Sequence, residues 1–344
     1  MRLPTHNPSK LFGIPCPPEK ASIIIIPMPW EVTVSSRSGT SLGPESVLKA
    51  SYGLGSMTPR EISSIQALGV AMLPIPHDWK TLSDTLRHHT VGHIHAMESG
   101  LGKSSFKKNI VKKIDRYAEQ LKEDIKSKSI FYLKEGKLVG VLGGDHSVPL
   151  GFIEALAEFH NNFGVLQIDA HPGLRKAYRG FHYSHASIMH NVLQLPYITR
   201  LVQVGLRNCA EEELQIIAAE EGRIFSFFDS DLKKQRFLGA TWDHICTTII
   251  EALPEKTYIS FDIDGLDPKL CPSTGTPVPG GLEFDEVCYL LDRIVQSGKK
   301  IIGFDLCEIA PGENIDWDAQ VGSRVLYKLA MAIGASKEKT SSKF

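Results

Sequence analysis

The sequence lacks any cysteine pattern that would define a disulfide framework or a zinc site. Its six cysteines, in a chain of 344 residues, are scattered, and no two of them form a Cys-x-x-Cys pair. Small disulfide-rich and zinc-binding domains place their cysteines in dense or closely spaced sets. We therefore expect reduced thiols, as in a cytoplasmic protein.

The chain also lacks an excess of charge and a long apolar run. Its 38 Lys and Arg nearly balance 39 Asp and Glu, and the formal net charge is −1. Such a balance gives no electrostatic reason to expect a nucleic acid or an anionic membrane as partner. The longest early apolar run, at residues 23–26 with its flanks, is too short for a signal peptide or a membrane span. We expect a cytoplasmic protein with no membrane and no nucleic-acid partner.

What the sequence does contain is a series of apolar segments of strand length. Eight of them lie at residues 22–27, 68–75, 137–142, 165–169, 201–205, 224–227, 258–262 and 301–305. Most are continuously apolar, which is typical of strands buried on both faces of a parallel sheet. No linker or repeat divides the chain, so we expect one domain over residues 1–335. A disordered polar tail is predicted at residues 336–344.

Helical patterns lie between these segments. In the clearest one, at residues 105–127, apolar side chains recur every three or four positions among many lysines and glutamates. That spacing predicts an amphipathic surface helix. Further helices are predicted at residues 148–160, 211–221, 285–297 and 321–335. Strands that alternate with helices indicate βαβ units and an α/β fold.

Histidines and aspartates follow three of the predicted strands. They are His146 in Gly-Gly-Asp-His-Ser, Asp169 and His171 in Asp-Ala-His, and Asp262 and Asp264 in Asp-Ile-Asp. The carboxyl ends of parallel strands face a common crevice, and side chains at i and i+2 of an extended segment lie on one side. Buried like charges are costly unless a cation neutralises them. This set suits a divalent ion such as Mn²⁺ and predicts a metallohydrolase.

The order of these motifs resembles that of the ureohydrolases, the family of arginase, agmatinase and formiminoglutamase. The resemblance covers nearly the whole chain. It includes Arg-x-Gly-Thr-x-x-Gly-Pro at 37–44, Ser-His-Ala-Ser at 184–187, Val-Gly-Leu-Arg at 204–207 and Asp-Leu-Cys-Glu-Ile-Ala-Pro at 305–311. It implies a three-layer αβα fold with an eight-stranded, mainly parallel sheet, as in arginases and deacetylases. The eight predicted strands agree with that expectation.

Ureohydrolases use two Mn²⁺ ions to hydrolyse a C–N bond, and the resemblance implies the same cofactor and a small guanidino or amidino substrate here. By position it implies His146 as a ligand of the first ion, His171 and Asp264 as ligands of the second, and Asp169 and Asp262 as bridges. Because family members form trimers and hexamers, it also implies a homo-oligomer.

The resemblance assigns two catalytic side chains as well. His185 would be a proton shuttle near the substrate, since the ordinary pKa of histidine is close to neutral pH. Glu308 would pair with the cationic guanidinium through charge-assisted hydrogen bonds.

Gly173 breaks the family pattern. It stands where Asp-Ala-His-x-Asp has its last aspartate, a ligand of the first ion, and the next candidates are Tyr178 and His182 in the following loop. Three alternatives follow: a weak first site with low activity, a degenerate protein with a binding or regulatory role, or a change particular to this chain. The remaining donors are similar to the single-metal site of histone-deacetylase-like enzymes, but their paired-histidine motif is absent from the sequence.

The Ser-His-Ala-Ser form resembles the agmatinase-like branch, so we expect an agmatine-like guanidine as substrate and urea as product. Formiminoglutamase or guanidino-acid hydrolase activity is the next alternative, and arginase activity is the last. Arg175, Lys176 and Arg179 follow Gly173. We expect them to form a solvated loop, whereas a position at the mouth of the site would favour an acidic substrate tail.

Overall fold

The computed structural model describes residues 10–34, 36–52, 58–99, 105–312 and 316–341. Its strands are β1 Ile23–Met28, β2 Val70–Met72, β3 Leu138–Gly143, β4 Phe163–Ile168, β5 Ile198–Leu206, β6 Ile224–Phe228, β7 Lys256–Asp262 and β8 Lys300–Cys307. Its α-helices are α1 Gly43–Ser51, α2 Pro59–Leu68, α3 His77–Glu98, α4 Ser105–Lys134, α5 Leu150–Leu156, α6 Ile188–Leu193, α7 Glu211–Ala219, α8 Asp229–Phe237, α9 Trp242–Ala252, α10 Phe284–Gln296 and α11 Trp317–Ser341. Over these ranges, no helix combines the length and the apolar character needed to cross a membrane.

All eight predicted strands lie in one sheet of order β2-β1-β3-β8-β7-β4-β5-β6. Every neighbouring pair is parallel. Side chains of one strand alternate between the two faces: Ile23 and Ile25 pack in one apolar cluster, and Ile24 and Ile26 in another. Helices cover both faces, so the strands are mostly apolar, and the predicted three-layer αβα fold is confirmed.

Several element bounds differ from the prediction. The β2 strand is three residues long, against eight predicted at 68–75, since Pro74 cannot donate a hydrogen bond to a sheet ladder. Helix α5 begins only after Pro149, at Leu150, and ends at Leu156. Helix α4 extends beyond its predicted end to Lys134.

The first described residues of the tail that was predicted to be disordered from residue 336 are helical. Helix α11 continues to Ser341. Ser336 is buried, and its hydroxyl oxygen accepts a 3.1 Å hydrogen bond from the backbone N–H of Ile301 at the start of β8. Ser336 therefore belongs to helix α11, although it is polar. Residues 342–344 lie outside the described residues.

Candidate metal centre

The candidate site lies at the carboxyl ends of four strands that are neighbours in the sheet. His146 follows β3, Glu308 follows β8, Asp262 ends β7 and Asp169 follows β4, and the sheet order of these strands is β3-β8-β7-β4. One cavity is lined by all seven predicted site residues: His146, Asp169, His171, His185, Asp262, Asp264 and Glu308. The topology therefore brings together residues that are far apart in the sequence.

Two groups of donor atoms suit a metal ion. In the first group, His146 Nδ1 lies 3.0 Å from Asp169 Oδ2 and 3.1 Å from Asp262 Oδ2. In the second group, His171 Nδ1 lies 2.9 Å from Asp264 Oδ2 and 3.6 Å from Asp169 Oδ1. The ligand atoms of each group lie within 4.8 Å of one another. Asp169 belongs to both groups, and the expected bridging of two ions by Asp169 and Asp262 stays a prediction.

Backbone hydrogen bonds fix the carboxylates of the two groups. Asp169 Oδ1 accepts a 2.6 Å hydrogen bond from the N–H of His171, and Asp262 Oδ1 accepts one of 2.9 Å from the N–H of Asp264. Asp264 Oδ1 accepts a further bond of 3.0 Å from the N–H of Ala170. In each carboxylate the other oxygen, Oδ2, is the atom that approaches an imidazole most closely. The local turns thus aim one oxygen of each aspartate into the cavity.

The charges of these groups are crowded in a buried site. Burial raises the pKa of the Asp262 carboxyl well above its ordinary value, and the charges of Asp264 and Asp169 add to this. Burial acts to lower the pKa of His146, but hydrogen bonds with Asp169 and Asp262 hold it well above its usual range. Buried carboxylates in such proximity are costly without a compensating cation. Imidazole and carboxylate donors of this kind fit a divalent ion such as Mn²⁺.

A row of polar side chains, buried except for the half-buried Ser226, crosses the sheet one layer below these ligands. It consists of Ser226, Gln203, Gln167, Ser260 and Asp305, which pair in register across β6, β5, β4, β7 and β8. We call these five residues the polar row. Neither glutamine is among the site residues predicted from the sequence. A signal was present, because each interrupts an otherwise apolar strand segment, as Val-Leu-Gln-Ile and Leu-Val-Gln-Val.

Side chains of the polar row form hydrogen bonds with the metal-ligand candidates. Gln167 Nε2 donates a 2.7 Å hydrogen bond to Asp169 Oδ2, and Gln203 Nε2 donates one of 2.6 Å to Gln167 Oε1. On the other side, Ser260 Oγ lies 2.8 Å from His146 Nε2. Partners of this kind orient metal ligands and set their affinity for the ion.

Glu308 is buried beside the first donor group. Its Oε1 accepts a 2.8 Å hydrogen bond from the N–H of His146, and its backbone is left-handed, with φ of 65°. Burial raises the pKa of Glu308 well above its usual value, and the charges of Asp262 and Asp145 raise it further. Such a carboxylate is stabilised by a cationic partner such as a guanidinium.

His185 lines the same cavity, but its pKa differs from the value near neutrality that was expected. Burial lowers the pKa of His185 to about 3, and the charges of His171 and His146 contribute. Its Nδ1 lies 3.3 Å from Ser184 Oγ and 3.5 Å from Thr33 Oγ1. The imidazole is therefore neutral at physiological pH.

Gly173 also lines the cavity, and its backbone suits glycine. Its φ is +63°, and a Cβ atom placed on it would meet Ile188 Cγ2 at 3.1 Å. Of the two candidates to replace the missing aspartate, Tyr178 lines the cavity. His182 has an exposed side chain and pairs with Asp115 at 2.8 Å instead.

Of the basic residues that were expected to form a solvated loop, Arg175 instead takes the alternative position at the cavity. Its side chain is 35% exposed, and it lines the cavity together with Tyr178, Asn208 and Glu213. The neighbouring Lys176 is exposed, as expected. Asn208 reaches the metal-ligand candidates, because its Nδ2 lies 3.3 Å from His171 Nε2. Asn208 and Glu213 lie in the segment after β5. They are not among the site residues predicted from the sequence.

The fold and the site together define a class of protein, the ureohydrolases. The family model described as the arginase family matches residues 21–332, and the chain belongs to this family, in its agmatinase-like branch.

The chain is also similar to individual relatives. The chain is 32% identical over 296 residues to an N(1)-aminopropylagmatine ureohydrolase of Thermus thermophilus, covering 86% of this chain and 85% of that protein. It is 27% identical over 342 residues to the proclavaminate amidinohydrolase of Streptomyces clavuligerus, covering 96% and 93%. The crystal structure of the agmatine ureohydrolase of Thermoplasma volcanium is similar in fold, with a TM-score of 0.70 at 21% identity, covering 99% and 97% of the two chains.

Proposed function

We propose that this protein hydrolyses a C–N bond of a linear guanidino or amidino compound in an Mn²⁺-dependent reaction, in the manner of an agmatinase and with release of urea. The observation that carries the proposal is the pair of imidazole–carboxylate groups that share Asp169, in one cavity with His185 and Glu308. A relative named as a ureohydrolase of N(1)-aminopropylagmatine, at 32% identity, supports a guanidino substrate.

The residues of both donor groups fit divalent ions. His146, Asp169 and Asp262 would hold one ion, and Asp169, His171 and Asp264 the other. Bound ions of this kind lower the pKa of water and stabilise developing negative charge.

The remaining side chains of the cavity bind the substrate and move a proton. Glu308 Oε1 is engaged by the N–H of His146, so Oε2 would accept a hydrogen bond from a guanidinium N–H. His185 lines the cavity beside the metal-ligand candidates, where one imidazole nitrogen would accept a proton from the reacting group and return it to the leaving amine. Glu308 is buried, so water competes little for its hydrogen bonds.

Urea release tests the proposal directly. The protein is assayed for urea in excess Mn²⁺ with a panel of linear guanidines that includes agmatine. We expect urea from at least one compound, and a loss of about 10²-fold or more in Asp264→Asn, which keeps the size of the side chain but removes a charged donor. A protein that holds Mn²⁺ and releases no urea from any compound contradicts the proposed activity.

Gly173 favours a second candidate function. A chain without a carboxylate at this position has one donor fewer for the first ion than the family motif provides. The protein would then bind guanidino compounds as a catalytically degenerate member with a regulatory role. Calorimetric titration of the Mn²⁺-loaded protein with agmatine separates the two functions, because binding without urea release supports only the second.

Formiminoglutamase or guanidino-acid hydrolase activity remains the alternative within the same chemistry. Assembly as a homo-oligomer of three or six chains and a cytoplasmic location stay predictions. Light scattering that gives a mass near the 38.0 kDa of one chain would contradict the assembly.

A further inference from the structure

We propose that Arg175 selects substrates whose aliphatic chain ends in a carboxylate. The preferred substrate would then be a linear guanidino acid instead of an amine-terminated guanidine of the same length, which selects the guanidino-acid hydrolase alternative within the proposed chemistry. This inference rests on the proposed function, because it concerns the far end of the molecule whose guanidino group meets the metal centre.

Arg175 lies within reach of the reacting end of the cavity. Its guanidinium lies over the ring of Tyr178, 5.2 Å from the centroid, and the Tyr178 ring contacts the His185 ring edge-on at 5.4 Å. Two successive ring contacts therefore connect Arg175 to His185, and all three side chains line the cavity. A substrate that places its guanidino group beside Glu308 and His185 would extend its chain along Tyr178 towards Arg175.

The acidic neighbours of Arg175 do not engage it closely. Arg175 Nε lies 3.8 Å from Glu213 Oε2, and Arg175 Nη1 lies 3.9 Å from Glu212 Oε1. Both separations exceed the roughly 2.7–2.9 Å of a charge-assisted hydrogen bond. The planar guanidinium presents five N–H donors in a fork that matches a carboxylate. Its shape and charge therefore suit an anionic tail.

Glu213 is a weaker site for a cationic tail, although it also lines the cavity. Its Oε1 accepts a 3.0 Å hydrogen bond from the N–H of Leu174, and its Oε2 accepts one of 3.0 Å from the N–H of Ala210. The bond from Ala210 caps the first turn of α7, the bond from Leu174 ties that turn to the segment after Gly173, and the Glu213 side chain is only 5% exposed. An incoming chain therefore meets Arg175, which is 35% exposed, more readily than Glu213.

Two matched substrates test the inference. Agmatine and 4-guanidinobutanoate carry the same guanidino group on chains of equal length, and one ends in an ammonium group and the other in a carboxylate. We expect the Mn²⁺-loaded protein to have a kcat/KM about tenfold or more higher for the acid than for agmatine. In Arg175→Met we expect this preference to be lost, mainly through a higher KM for the acid. Lys176→Met, the same change at the exposed neighbour, should retain the preference.

Binding provides a second measurement that does not depend on turnover. In calorimetric titration of the Mn²⁺-loaded protein, we expect Arg175→Met to weaken binding of 4-guanidinobutanoate about tenfold and to leave the bound Mn²⁺ unchanged. Arg175→Lys keeps the charge without the planar fork and should restore part of the affinity. These titrations give a result even if the protein releases no urea.

The possible failures are distinguishable. Hydrolysis or binding that favours agmatine, with no change in Arg175→Met, would overturn the role of Arg175 and leave the proposed function intact. Absence of urea from both compounds, combined with tighter binding of the acid that depends on Arg175, would contradict the hydrolase activity and support the selection of an acidic tail. Equal effects of Arg175→Met and Lys176→Met would show only a general charge effect and would overturn the inference.

Discussion

Gln167 Nε2 donates a 2.7 Å hydrogen bond to Asp169 Oδ2, the same oxygen that lies 3.0 Å from His146 Nδ1. The amide of Gln167 also donates a 3.1 Å hydrogen bond to the carbonyl oxygen of His171. One glutamine thus fixes the carboxylate that both donor groups share and the backbone of a second ligand candidate. The side chain is fully buried, so it cannot exchange these partners for bulk water.

Removal of this amide is predicted to weaken metal binding without removing a ligand. In Gln167→Leu, Asp169 loses a hydrogen bond that orients it, and loss of such a partner lowers metal affinity by about 10–100-fold. Calorimetric titration with Mn²⁺ measures the change. Gln203→Leu is the matched control, because Gln203 belongs to the same buried row but contacts Asp169 only through Gln167.

Both variants leave buried polar groups without partners, which costs about 1–3 kcal/mol in the free energy of unfolding. Their stabilities should therefore fall to a similar extent, while Mn²⁺ affinity falls more in Gln167→Leu. If Gln167→Leu binds Mn²⁺ as tightly as the wild type, the polar row only supports the sheet and has no role at the metal centre.

Gly173 is predicted to limit the first donor group. Its left-handed backbone, with φ of +63°, is unfavourable for most side chains, but aspartate and asparagine tolerate it better than others. In Gly173→Asp, a new carboxylate at the cavity wall should raise the number of Mn²⁺ ions bound per chain and increase urea release. Elemental analysis and the urea assay measure both quantities.

Gly173→Asn is the control for this change, because it has the same size and the same backbone preference without the charge. Both variants must displace Ile188 Cγ2, which a Cβ atom would approach to 3.1 Å, so both should lose some stability. A gain of metal in the aspartate variant alone supports the account. Equal metal content in wild type, Gly173→Asp and Gly173→Asn contradicts it.

His160 should make the stability of the fold sensitive to mild acid. Burial lowers the pKa of His160 to about 4, and the charges of Lys256 and Lys300 at the amino ends of β7 and β8 contribute. The unfolded chain has an ordinary histidine pKa of about 6.5 and binds more protons between these values. The contribution of His160 to the free energy of unfolding is therefore present above about pH 6.5 and is lost as the pH falls towards 4.

We expect His160→Gln to reduce the loss of stability between about pH 7 and pH 5, measured by urea unfolding of the metal-free protein. His244→Gln, at an exposed histidine of α9, serves as the control. Parallel stability curves for wild type and His160→Gln would show that protonation of His160 does not contribute.

The strands and the principal ligand candidates were predictable because each depends on local pattern. Continuous apolar runs identify strands that are covered on both faces, and residues after parallel strands must share one edge of the sheet. Six helices, α1, α2, α3, α6, α8 and α9, were not predicted, and α3 is the longest of them. Its histidines and other polar residues obscure the apolar stripe, although Leu86 and Ile94 are buried. Helix α11 was predicted too short because its polar end packs against β8 through Ser336.

The supporting and substrate-facing residues depend on tertiary contacts that the sequence does not show. Gln167 and Gln203 are recognisable only as polar residues in apolar strands, and their pairing requires the register of β4 with β5. Arg175 resembles any basic loop residue until the structure places it over Tyr178. The side chains that decide affinity and specificity are thus the least predictable part of the site.

The Mn²⁺ content of the protein after equilibrium dialysis, measured by elemental analysis, tests the central claim most directly. We predict about one tightly held ion per chain, bound by Asp169, His171 and Asp264, and a second ion only at higher metal concentration because Gly173 has no side chain. Asp264→Asn should lose the tight ion. A wild-type chain that retains no Mn²⁺, or an Asp264→Asn variant that retains as much as the wild type, would contradict the account.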